Sequence, residues 1–346
     1  MARSTAQAVR SAAGSGAWFA VLLAALAAGA LALPASVAAH GPTPPDPPTL
    51  AALALDWQVE PLVAATLLAL AIGWLVLMWR VGRLHPEHPL PVGRTAAFFA
   101  GLATIAIALM SGIARYDTTL FSVHMVQHLL LMLVAAPLLA FSAPVTQVLR
   151  ASPPGVRQGW LIPVLHSRIV EAIGHPVVGA LTFTVVVWGS HFTGLFELAL
   201  EDQGVHEIEH VAFLAAAMIF WWPVIAADPA RRRMAFPVRA LYLLVQVPVN
   251  SFLGMAFVFA PTPLYAHYAN LGSPYRIDAL ADQQLAGGIM WLAGDVVFIA
   301  GILGIIAAWM RREQRDEPAA ERRFEVERIA LRERADRLAR TKADRG

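Results

Sequence analysis

Phe121-Ser122-Val123-His124-Met125-Val126-Gln127-His128 opens an apolar run that continues to about Pro144. That length meets the roughly 20 residues a bilayer-spanning helix needs, so its side chains are read at helical spacing. Histidines four residues apart share one helix face, with Cβ atoms about 5–6 Å apart. His124 and His128 can therefore hold one ion between them, or one can ligate while the other supports it. His206-Glu207-Ile208-Glu209-His210 repeats the spacing at the head of another apolar run.

Composition places the whole chain in the same setting. Of 346 residues, 58% are hydrophobic and 14% charged, and mean hydropathy is +0.58. That excludes a soluble domain of this length. The absence of cysteine excludes a disulfide framework, a thiolate metal centre and a cysteine nucleophile. Net charge is only +2, and the basic residues gather in short loops and at the C-terminus. They read as signals of membrane orientation, with no nucleic-acid partner expected.

Seven apolar runs of spanning length follow one another, at about 61–80, 94–113, 120–142, 176–198, 206–225, 238–260 and 284–310. The expected fold is all-α, with residues 58–310 forming a seven-transmembrane-helix bundle in the lipid bilayer. Alternate loops sort by charge. One set carries Arg80, Arg83 and Arg94, then Arg150, Arg157 and Arg168, then Arg231, Arg232, Arg233 and Arg239, then Arg311 and Arg312. The other carries Arg115 with Asp117, then Glu201 and Asp202, then Arg276 with Asp278 and Asp282. The excess of positive charge places the first set in the cytoplasm and the second outside, giving an N-out, C-in chain.

Residues 1–39 read as a signal peptide, with Arg3 and Arg10 before an apolar stretch, Pro34 as a breaker and Val37-Ala38-Ala39 at the cleavage position. The alternative is an uncleaved first membrane helix. Cleavage after Ala39 would expose His40, whose free α-amine and imidazole can chelate Cu(II) together. Residues 40–57 form a Pro-rich extracytoplasmic tether, expected to be extended rather than packed. Residues 311–346 form a charged cytoplasmic tail, partly helical, on which Phe324, Leu331 and Leu338 recur every seventh residue.

This topology sorts the candidate ligands. His124, His128, His206 and His210 lie at outer helix ends, His191 about two turns inside the outer end of the fourth span, and His267 in the last outer loop. Met110, Met125, Met255 and Met290 fall in outer halves. Singly, a boundary histidine caps a helix or bonds a neighbour, and a methionine fills space. Two pairs and His191 at one face point to a metal or cofactor, and imidazole with thioether but no thiolate suits copper. His206-Glu207-x-x-His210 is also the zinc-protease pattern, with Glu207 as general base, yet it accounts for neither His124 nor His191. Asp295, deep in the last span, needs a partner inside the bundle, for which Asn250 and Gln246 are the candidates.

The blocks Phe121-Ser-x-His124-Met125-x-Gln127-His128 and Ala136-Pro137, Trp188-x-x-His191, His206-x-x-Glu209-His210 with Phe220-Trp221-Trp222-Pro223, and Asp282-Gln283-x-x-x-Gly287-Gly288-x-Met290-Trp291 occur in this order. Together they resemble the CtaG-like cytochrome c oxidase assembly factors of bacteria, over about residues 57 to 310. The sequence departs from that pattern at Gly189-Ser190-His191-Phe192-Thr193, where similar proteins often carry Trp-His-x-Pro. The resemblance implies a multi-pass protein of the bacterial plasma membrane, not an enzyme, that serves as a copper metallochaperone in making haem-copper oxidase. It implies oxidase subunits or a copper donor protein as partners. It makes His124, His128, His191, His206 and His210 metal-site candidates, with Met125 beside them; His40, outside the resemblance, is an additional candidate only through the expected cleavage after Ala39. Gln127, Glu209, Asp282 and Met290 would support the ligands or line the way in. Two alternatives stand beside it: a haem-binding membrane redox protein using axial histidines, and an intramembrane zinc metalloprotease built on His206 and His210.

Overall fold

In a computed structural model of the chain, residues 44, 46–229, 233–272 and 274–343 are described. The signal segment 1–39, His40, Arg231 and Arg232 lie outside the described residues. Among those described there is helix but no strand. Six helices are long and apolar enough to cross a membrane, and a bent helix pair raises the number to seven.

The first, α1 (Pro61–Leu84), starts on a proline at its first turn, where the missing N–H would have had no helical partner. Only 11% of its apolar window is buried in the protein, so it presents most of its surface to lipid. It is followed by α2 (Val92–Met110). Next comes α3, which runs as Phe121–Leu129, passes through a π-helical stretch at Leu130–Ala135 and resumes over Ala136–Phe141. The π stretch follows from Pro137. The Ala136 amide already reaches back five residues, to Leu131 O. The next such bond would need an N–H that Pro137 lacks, which strands Met132 O. The Trp221 indole N–H donates to that carbonyl at 3.0 Å.

The fourth expected span is two helices, α4 (Pro176–Phe192) and α5 (Gly194–Glu201), bent by 70°. Thr193 makes the bend, with extended backbone angles. Its hydroxyl donates to Gly189 O at 2.7 Å and accepts from Leu195 N at 3.3 Å, closing one helix and capping the next. His191 is therefore at the last turn of α4 rather than two turns inside a straight span. Then α6 (Gln203–Ile225) begins on Asp202, whose carboxylate accepts from Val205 N at 2.9 Å.

The remaining two helices, α7 (Phe236–Val258) and α8 (Ala279–Ala343), cross closely. A Cβ at Gly287 would lie 2.7 Å from Gly254 O and 2.7 Å from Phe257 Cβ, so glycine at this crossing is what lets the backbones meet. Nearby, Asp295 accepts from Ser251 Oγ at 2.8 Å and from Asn250 Nδ2 at 3.2 Å, which pairs the mid-span carboxylate across the same crossing. Residues 311–343, expected to be only partly helical, continue α8 without interruption.

The expected extended tether also differs. A short helix, Leu50–Leu55, packs Ala52 and Leu53 against Ile113, Tyr116, Leu120 and Val123. Tyr275 and Tyr116 donate to Pro44 O and Asp46 O at 2.6 and 3.0 Å, and Arg115 pairs with Asp56. Backbone carbonyls free of secondary structure recruit these donors, so the prolines do not leave the segment loose.

Candidate metal centre

Helix α3 enters the bundle with a cap supplied from far along the chain. Asp282, in the first turn of α8, accepts from Phe121 N at 2.6 Å and Ser122 N at 3.3 Å, and also bonds the Ser122 hydroxyl. A carboxylate at a helix N-terminus satisfies amides that have no helical acceptor and opposes the positive end of the dipole. The first two turns are thereby fixed, and His124 and His128 face inward at 0% and 1% exposure. From the facing helix α6 come His206 and Glu209, at 4% and 8%.

One ligand atom from each of His124, His128, His206 and Glu209 lies within 4.8 Å of the other three. Glu209 Oε2 is 3.9 Å from His124 Nε2 and 3.8 Å from His128 Nε2. Neither Glu209 oxygen and neither His128 ring nitrogen has a hydrogen-bond partner among the described residues. A buried carboxylate without hydrogen bonds is costly, and a cation among these atoms would relieve the cost. Three imidazoles and a carboxylate suit a borderline divalent ion held at about 2.0–2.2 Å, which needs only a modest contraction of the group. The residues fit a metal.

The other sequence candidates fall around this group rather than in it. His210 turns to Gln127, with Nε2 3.0 Å from Gln127 Oε1, while Gln127 Nε2 donates to Ala108 O at 3.0 Å. Glu209 thus stands where the sequence reading put His210. His206, Glu209 and His210 all suit one helix face, and spacing alone did not choose between the last two. His191 keeps Nδ1 2.7 Å from Val187 O, with its ring 6.4 Å from that of His128. Met125 and Met290 belong to the main apolar core, with Phe121, Phe213 and Phe257, so their thioethers pack as hydrocarbon does. Glu207 accepts from Gln203 at 3.2 Å, outside the converging group. Asp282 is the helix cap, and Asp295 with Asn250 joins α7 to α8.

Sequence reasoning missed the cover. Phe196 of α5 is fully buried against the rings of His124 and His191, at 4.9 and 5.2 Å. The connection from α7 to α8 lays Tyr265 and Tyr268 beside it. The Tyr265 hydroxyl donates to His191 O at 3.0 Å. The Tyr268 hydroxyl donates to Asp117 O at 2.7 Å and lies 3.4 Å from His124 Nδ1. With its proton engaged on Asp117 O, that hydroxyl is placed to accept from His124 Nδ1, which leaves Nε2 for the group. The carboxyl of Asp117, just outside the spans, is itself buried. Burial pushes its pKa up to about 7, opposed by hydrogen bonds from the Gln127 side chain and the Thr118 amide. The aromatic-rich sequence Tyr265-x-x-Tyr268 was the available signal.

A sequence model of the family described as cytochrome c oxidase caa3 assembly factor matches residues 72–312. Uncharacterized proteins of Mycobacterium bovis and Mycobacterium tuberculosis are each 32% identical over 279 residues, 78% of this chain and 42% of theirs. One from Mycobacterium leprae is 31% identical over 279 residues, with the same coverage. The chain thus spans about two fifths of the length of the curated relatives it matches. No solved structure matches it.

Proposed function

This chain belongs to the cytochrome c oxidase caa3 assembly factor family, and on that premise we propose that it binds copper at the outer face of the bacterial plasma membrane and delivers it during oxidase assembly. Its partners in that role are oxidase subunits or a copper donor protein. His124, His128, His206 and Glu209 hold the ion, Tyr268 and Gln127 orient neighbouring rings, and Phe196 excludes water. The role is that of a carrier rather than an enzyme. When bound, copper is the cargo, and the protein's part is to satisfy its coordination inside the bundle.

The observation that carries this reading is the convergence of four buried donors from two helices within 4.8 Å. The same convergence weighs against the alternatives. A haem iron takes axial ligands on opposite sides of a macrocycle, whereas four donors around one point leave the macrocycle no plane. A zinc protease of the His206-Glu207-x-x-His210 type needs Glu207 beside the ion, and Glu207 bonds Gln203 instead.

Metal analysis and visible spectra of the purified full chain test the reading. The wild type is expected to hold copper and show no Soret band. A His128→Ala, Glu209→Ala double variant is expected to accumulate normally, lose the copper and leave oxidase subunits made but less active. Unchanged copper stoichiometry in that variant would refute the site, whatever the oxidase does.

A further inference from the structure

We propose that His191 and His128 form a second, two-coordinate station for a soft monovalent d10 cation, beside the four-donor group and alternative to it. The proposal rests on the reading above only in sharing His128.

The lone pair on His191 is assigned by its neighbours. Nδ1 lies 2.7 Å from Val187 O and 3.1 Å from Ser190 Oγ. A carbonyl has no proton to give, so Nδ1 carries the hydrogen and Nε2 carries the lone pair. That Nε2 is buried and has no hydrogen-bond partner among the described residues, on a side chain 4% exposed. His128 is in a similar position. Its Nε2 faces Glu209 Oε2 at 3.8 Å, and its Nδ1 also lacks a hydrogen-bond partner.

The two rings are perpendicular, with centroids 6.4 Å apart. That separation suits imidazoles that each place a ring nitrogen about 2.0 Å from a shared ion. The walls are aromatic. Phe196 and Phe213 stack on His191 at 5.2 and 6.0 Å, Phe257 stands at 5.5 Å, and Phe213 meets His128 edge-on at 4.4 Å. Such walls offer ring faces instead of oxygen, which suits a weakly hydrated monovalent ion and starves a hard divalent one. A neutral imidazole has one lone pair, so His128 serves one station at a time. Charge and softness then decide which station fills.

Ag(I) and Co(II), titrated separately into the purified full chain, distinguish the stations. Each is expected to bind the wild type at one equivalent and to displace the other. In His191→Ala, Ag(I) should weaken by more than the roughly 10–100-fold that loss of a supporting partner costs, with the Co(II) spectrum and affinity kept. Glu209→Ala should do the reverse, and His128→Ala should lose both. Unchanged Ag(I) affinity in His191→Ala, or joint loss of Ag(I) and Co(II), overturns the proposal. Should His191→Ala fail to fold, 15N-labelled histidine in the wild type decides: silver coupling on His191 Nε2 is expected, and its absence overturns the station. Failure of the four-donor reading looks different, with no Co(II) bound by the wild type and Ag(I) still dependent on His191.

Discussion

At the residue scale, Gln127 supports a proposed bystander role for His210. Its amide NH2 donates to Ala108 O and hydrogen-bonds the Asp117 carboxyl, so its carbonyl faces His210 Nε2. His210 is thereby held beside the candidate group by a hydrogen bond, while Glu209 converges with His124, His128 and His206. His210→Ala is therefore expected to weaken copper by roughly 10–100-fold, as loss of a supporting group does. Glu209→Ala should remove Cu(II) binding, and competition titration against a chelator separates the two. Asp117 gives a pH signature. Its carboxyl ordinarily titrates at 3.8 but at about 7 in the fold. Between those values the unfolded chain is ionised and the folded one is neutral, so the folded state binds the extra proton. Stability is full below about pH 4 and falls as pH rises toward 7, by about 4 kcal/mol at most. Asp117→Asn should flatten that slope in thermal melts from pH 5 to 8, and an unchanged slope would reject the assignment.

At the element scale, the π stretch of α3 is a matched pair of defects. Pro137 withholds an N–H, and the Trp221 indole supplies one to Met132 O. Trp221→Phe should cost about 1–3 kcal/mol, the desolvation of a buried carbonyl left alone. Pro137→Ala restores an N–H to the helix, so the double variant should lose less than the sum of the singles. Additive losses in chemical unfolding would contradict the pairing. The crossing of α7 and α8 offers a sharper contrast between adjacent glycines. Gly287→Ala forces a methyl into Gly254 O and Phe257 and should destabilise by roughly 1–3 kcal/mol. Gly288 has nothing within 4 Å of an added Cβ, so Gly288→Ala should be neutral or slightly stabilising. Both residues sat in a legible block, but sequence did not say which of them faces a backbone. Spans α1, α2, α3, α6, α7 and α8 were legible because a membrane helix announces itself by length and apolarity. The 70° bend at Thr193 was not, since its hydroxyl bonds are local and Phe192 and Leu195 remain apolar on either side.

At the scale of the whole molecule, the four-donor candidate group, Asp282 and the cover of Tyr265 and Tyr268 share one end of the bundle, and Arg311 and Arg312 leave it at the other. By the excess of positive charge in the other set of loops, the first end is expected to lie outside. With no native cysteine, Glu201→Cys and Arg311→Cys can be read against a silent background. An impermeant thiol reagent on whole cells is expected to label the first and spare the second. The opposite pattern would turn the protein over and remove copper delivery to the outer face. The cap that Asp282 places on α3 also has a consequence in time. The amides of Phe121 and Ser122 wait for an acceptor 161 and 160 residues downstream. At roughly 5–20 residues per second of synthesis, that wait is on the order of ten seconds. During it the histidine pair on α3 sits on a helix whose start is unsecured, and α6 has emerged with its own ligands. If the group binds metal as proposed, a chain still lacking α8 should be a poorer trap for it than one in which the Asp282 cap is in place.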